Sequence, residues 1–132
     1  MQKTILFSAS VFGALAVIIG AFGAHALKEK LGPDQLQVFE TGVKYQFYHA
    51  LALLMVGILF GKIENSNLNY AGIFFILGIV FFSGSLYLLS TLSITGLDGI
   101  KKILGPITPL GGLFFILGWI SLCVGVLKSK ML

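Results

Sequence analysis

Four apolar runs, at about residues 4–27, 45–61, 70–94 and 103–127, dominate the chain and leave few folds open to it. Each is close to the ~20 residues that cross ~30 Å of hydrocarbon at ~1.5 Å per residue. Hydrocarbon offers no partner to a backbone amide, so each run is expected to be a helix that satisfies its own N–H and C=O groups. Of the 132 residues 57% are hydrophobic and 11% charged, and mean hydropathy is +0.99, far from the balance of a water-soluble domain. The expected architecture is all-α, a four-helix transmembrane bundle forming a single integral membrane domain over residues 1–132. The longest polar connection, Lys28 to Lys44, is too short for a separate extramembrane domain.

The first run has a second reading, since Lys3, the apolar stretch and Ala24-His25-Ala26 resemble a signal peptide with its cleavage site. Its apolar length exceeds the ~7–15 residues of a signal core, which favours a retained helix. The single cysteine, Cys123, lies in the last run and cannot form an intrachain disulfide. The net charge of +4 comes from nine lysines and no arginine, spread over every connection and both termini. No basic face for nucleic acid results. Membrane lipids are the expected partners, each lysine near anionic headgroups contributing ~1 kcal/mol. Four spans put both termini on one side with Lys3, Lys62, Lys128 and Lys130, against Lys28, Lys30, Lys44, Lys101 and Lys102 on the other. That near balance decides nothing under the positive-inside rule and permits an antiparallel, dual-topology dimer.

Small residues pattern the spans. Ala9, Gly13, Ala16, Gly20, Gly23 and Ala24 form a stripe on the first, Gly57 and Gly61 are four apart on the second, and Gly111, Gly118 and Gly125 are seven apart on the fourth. Such spacing lets helix backbones approach closely and predicts a tight bundle, with homo-oligomerisation also open to it. Gly32-Pro33 breaks the chain, and Leu36, Phe39, Val43 and Phe47 then share one helical face, with Glu40 and Lys44 on another. Residues 33–44 are read as a short amphipathic helix between spans one and two, either lying on the membrane surface or continuous with span two. Residues 62–69 form a short polar turn, and Pro106 and Pro109 suit the opening of the fourth helix.

The two histidines, His25 and His49, fall at facing ends of the first two runs and are expected at one membrane face. Span three grows more polar toward that same face, and the bundle is expected to be polar at one end and oily at the other. Unpaired polar groups in hydrocarbon are costly, so His25, Tyr45, His49, Ser83, Ser85, Tyr87 and Thr108 are expected to gather into a hydrogen-bonded cluster. That cluster is the candidate ligand-binding site.

At these residues the chain resembles a known family, the domain of unknown function 423, small bacterial membrane proteins related to animal transmembrane protein 256. The matching pieces are "GAFGAH" at 20–25, "YQFYH" at 45–49, "FSGSLY" at 82–87, "TPLGG" at 108–112 and "GW" at 118–119. The resemblance implies a four-span fold and an integral membrane location, without an assigned activity. It also implies cytoplasmic termini in a bacterial inner (plasma) membrane, a pattern from which Lys101 and Lys102 depart.

Several functions are disfavoured by what the spans lack. The carboxylates Glu29, Asp34, Glu40, Glu64 and Asp98 lie in connections or at span ends, so the mid-membrane acid of a small proton-coupled antiporter is missing. Two histidines are too few for a three-histidine catalytic zinc site, and Cys123 lies toward the other end. Bis-histidine haem is a poor fit so near a span end. No trio reads as nucleophile, base and orienting acid. The expectation is a non-enzymatic scaffold or accessory protein with no cofactor and with its protein partners undefined. The alternative is a binding or permeation site for lipid, ion or small solute built around His25 and His49.

Overall fold

A computed structural model describes residues 1–63 and 65–129; Glu64 and Lys130, both counted above, lie outside the described residues. Four helices are long and apolar enough to cross a membrane: α1 (Gln2–Leu27), α2 (Pro33–Phe60), α3 (Ser66–Thr95) and α4 (Asp98–Leu127). Two depart locally from α-helical winding. α1 closes in a π turn over Gly23–Leu27, and α3 carries another at Ile79–Ser83.

The ends follow local chemistry. Gly32 is extended (φ −64°, ψ 161°), Pro33 takes the first helical position where no donor is needed, and the Gly32 N–H donates to Gln35 Oε1 at 3.3 Å. Asn65 Oδ1 accepts the Asn67 N–H at 2.9 Å and caps α3. Gly96, at φ 68°, ends α3 in the left-handed region that glycine enters freely. Pro106 and Pro109 lie inside α4, which starts earlier than the proline run suggested, at Asp98. Each proline withdraws the amide that would pair with the carbonyl four residues before it.

Residues 33–44 are continuous with span two, so α2 is one helix of 28 residues. Phe39 packs with Leu27 and Leu31 against the end of α1, with Leu36 and Val43 beside it. Phe47, expected on that face, points outward. The larger core joins Ile5, Leu53, Val56, Leu68, Phe75 and Phe115 from all four helices, mostly in the half nearer the termini. The outward surface is apolar as well, Phe7 and Ile18 being 69% and 63% exposed, as a hydrocarbon solvent requires.

Glycines set the registers. An added Cβ at Gly78 would meet the Phe115 ring, at Gly118 the Phe75 ring, at Gly125 the Leu68 side chain, and at Gly111 the backbone of Phe82 at 2.3 Å. As numbers rise on α3 they fall by equal steps on α4, so the pair runs antiparallel along its length. α1 and α2 pair likewise, Gly20 against Val43, Gly23 against Phe39 and Gly57 against Leu6. Gly42 admits Tyr87 between α2 and α3, and both termini lie at one end of the bundle.

Gly111→Ala should therefore force α3 and α4 apart and lower stability by about 1–3 kcal/mol. Gly13→Ala, where nothing lies within 4 Å of the new Cβ, should stay within about 0.5 kcal/mol. Thermal unfolding of the two variants in detergent checks both.

Candidate functional site

His49 does not sit at a membrane face. Because α2 begins at Pro33, His49 lies about 24 Å along it, and the α1–α2 register sets it level with the middle of α1. His25 is exposed in the π turn closing α1, about 17 Å away along the bundle axis. The expected pairing of the two histidines is thus not formed, because the polar first turns of α2 are helix rather than connection.

Both nitrogens of the His49 ring are occupied. Nδ1 lies 2.8 Å from the Tyr45 carbonyl, which can only accept, so Nδ1 carries the proton. Nε2 is then an acceptor, and it receives the Trp119 Nε1–H at 3.3 Å. One neutral tautomer satisfies both bonds. The ring also stacks on Phe115 with centroids 3.5 Å apart at 9°, while Phe75 meets Trp119 edge-on at 5.2 Å. This aromatic group ties α2, α3 and α4 together at mid-depth, each pair contributing about 0.5–1.5 kcal/mol beyond burial.

A second polar group joins α1, α2 and α3. The Tyr87 hydroxyl donates to Gln46 Oε1 at 2.8 Å, and Gln46 Nε2 donates to the Phe12 carbonyl at 2.9 Å. Gln46 is 3% exposed and links α1, α2 and α3 through one amide. A third group pairs the Ser85 and Thr108 hydroxyls at 2.7 Å across α3 and α4, with Ser85 donating to the Phe82 carbonyl at 2.9 Å.

The seven expected site residues therefore divide. His49, Tyr87, Ser85 and Thr108 make inter-helix bonds, in three separate places. Tyr45 contributes its carbonyl to His49 and its ring to Phe82 at 4.8 Å, not its hydroxyl. Ser83 is buried in the π turn of α3 with its hydroxyl unpaired. His25 stands apart.

Gln46 and Trp119 carry this polar interior without having been singled out. Their signal was present: an amide and an indole N–H, each within an apolar run, both need partners in hydrocarbon. The described carboxylates Glu29, Asp34, Glu40 and Asp98 are all exposed, and among the described residues no three of His, Cys, Asp and Glu stand where they could hold a metal ion.

Comparison with known proteins agrees with the membrane architecture. The model of a protein family of unknown function, DUF423, matches residues 19–112. The UPF0382 membrane protein YwdK of Bacillus subtilis is 44% identical over 128 residues, covering 96% of this chain and 98% of its own. UPF0382 membrane proteins of Staphylococcus saprophyticus and Staphylococcus haemolyticus are 43% identical over 127 residues and 44% over 122. The first alignment covers 96% of this chain and 99% of the relative, the second 89% and 93%. No solved structure matches the chain.

If the indole–imidazole bond holds α2 to α4, a double-mutant cycle with His49→Phe and Trp119→Phe should give a coupling of about 0.6 kcal/mol, and no more than about 1.7. Reversible unfolding in mixed micelles measures it. A coupling of zero would leave stacking as the sole tie at this point.

Proposed function

This chain belongs to the DUF423 family of membrane proteins, and from that premise we propose that it is a non-enzymatic scaffold or accessory protein of a bacterial inner (plasma) membrane, with both termini cytoplasmic. One observation carries the reading: the imidazole at mid-depth is fully used in holding helices together, with neither nitrogen left to exchange a proton. Transport by proton coupling needs a group that alternates between charged and neutral forms along a path. Here His49 is locked under Phe115 and Trp119, and the neighbouring Gln46 amide does not titrate. Catalysis by acid, base or nucleophile would need a free group beside a partner, and the imidazole in this interior, among the described residues, is already paired at both nitrogens.

The scaffold reading is supported further by the distribution of burial. α1 and α4 are the least buried spans, with 17% and 22% of their apolar windows inside the bundle against 39% for α2 and α3. Their outer faces are where another membrane protein, or a second copy, would pack. The cytoplasmic placement of the termini rests on the resemblance to relatives rather than on lysine counts.

Vesicles holding the purified protein should be no more permeable to protons, potassium or small anions than empty vesicles. His49→Ala should lower thermal stability by about 1–3 kcal/mol without changing that permeability. A flux that falls in the folded His49→Ala protein would sink the scaffold reading. Reporters fused after the C-terminus and within the turn at Gly96 should report opposite sides, the first cytoplasmic. Signals from both sides at each position would instead mean dual topology.

A further inference from the structure

Two hollows lie in line along the seam between α2 and α4. The outer, of 450 Å³, is lined by Asp34 and Val38 of α2, Leu86 and Leu89 of α3, and Lys101 and Gly105 of α4, with Thr108 beside them. The inner, of 670 Å³, is lined by Tyr45 and His49 of α2 with Pro109, Gly112, Ile116 and Trp119 of α4. Positions 34, 38, 45 and 49 share one face of α2, as 101, 105, 108, 112, 116 and 119 share one face of α4. The two hollows follow one another in the groove between those faces. From Asp34 to His49 it runs about 22 Å along α2, from the helix end to mid-bilayer.

The composition of α4 keeps the groove open. A Cβ at Gly105 would meet nothing within 4 Å, and one at Gly112 only the Phe82 ring at 3.8 Å. The floor is closed by the Phe115–His49 stack and the Trp119 bond, which bridge α2 and α4 at the inner end.

Both hollows are walled largely by apolar surface, and the outer one has charged side chains at its border as well. Asp34 and Lys101 both border the outer hollow, with Gly105 alongside. Pro109 withdraws the amide that would pair with the Gly105 carbonyl, leaving an acceptor there. The inner end is walled by aromatic and aliphatic side chains. Opposite charges at one end and an apolar channel of half-bilayer depth at the other match one molecule: a phospholipid with a zwitterionic, amine-bearing headgroup.

We propose that the α2–α4 groove holds one such phospholipid, its phosphate on Lys101, its amine on Asp34, and one acyl chain running inward to the His49–Trp119 pair. The aromatic lock at mid-depth is then also the end wall of a lipid site. Nothing in the scaffold reading requires this lipid, and either stands if the other fails.

Trp119 is the only tryptophan, so its fluorescence reports the inner end of the groove. The full chain, purified in detergent, is titrated with phosphatidylethanolamine brominated on its acyl chains, which quenches on contact. Quenching should saturate at one lipid per chain. Gly105→Leu and Gly112→Leu, both at open glycines, should each raise the half-point at least about tenfold, whereas Gly13→Leu on α1 should leave it unchanged. Brominated phosphatidylglycerol should need about tenfold more lipid, a preference that Asp34→Asn should remove. Quenching that grows in proportion to lipid without saturating, or that both glycine variants leave unchanged, overturns the site. Equal half-points for the two headgroups overturn the headgroup assignment. A lipid-free dimer in native mass spectrometry, dissociated by Gly112→Leu, would give the groove to a second copy and overturn the proposal.

Discussion

Hydrocarbon gives apolar helices no reason to prefer one another over lipid, so this bundle depends on how closely its backbones can approach. The tightest point is Gly111, where the main chain of Phe82 occupies the volume a methyl group would need. Seven and fourteen residues further along α4, Gly118 and Gly125 admit Phe75 and Leu68 of α3. Those steps fix the α3–α4 register over two-thirds of the membrane thickness. Gly42 carries the constraint to α2, and Gly20, Gly23 and Gly57 carry it to α1. Every level in the bundle, including that of His49, follows from these approaches.

Given those registers, the polar side chains act mainly as selectors. Each inter-helix hydrogen bond in a membrane contributes well under ~2 kcal/mol, because the separated helices also find partners. A wrong register leaves an amide or imidazole unpaired in hydrocarbon, which costs more than the bond gains. The Gln46 amide reaches the Phe12 carbonyl and the Tyr87 hydroxyl together only when α1, α2 and α3 are all seated. Trp119 meets His49 only when α4 is seated too. The Ser83 hydroxyl is one of the buried side-chain groups that this scheme leaves out, with Asn69 Oδ1 and the Ser129 hydroxyl, and it lies in the π turn beside the closest glycine approach.

Much of the fold was legible in residue pattern: four spans, their order, the glycine seams, and the asparagine turn that caps α3. What the pattern left open was whether residues 33–44 lie on the membrane surface or continue into α2, and the expectation of His49 at a membrane face went with the first of these. Hydropathy averaged around the helix scores residues 33–44 as polar, since Asp34, Glu40 and Lys44 share that stretch with Leu36, Phe39 and Val43. In the folded protein the charges face outward while Phe39 packs against α1. Moving that boundary carries His49 from the interface to mid-depth and separates it from His25. The partners of the buried groups were less legible than the groups themselves. Pairing across helices depends on register, register depends on which glycines meet which side chains, and no spacing within one helix encodes its opposite number.

The same constraint accounts for the open seam. α4 can bring its backbone tightly against only one neighbour at a given level, and its heptad glycines commit it to α3. Its other face, with Gly105, Pro109 and Gly112, is small as well but meets no facing backbone, so α2 stands off. Large side chains must close that distance or lipid will fill it. At mid-depth they do close it, with His49, Phe115 and Trp119 spanning the gap. Toward the Asp34 end no aromatic bridge spans it among the described residues, and Val38, Leu86 and Leu89 line the space with Asp34 and Lys101 at its border. The open seam is thus a consequence of packing: the His49–Trp119 and His49–Phe115 contacts bridge α2 and α4 at mid-depth, and beyond them the gap runs out to Asp34 and Lys101.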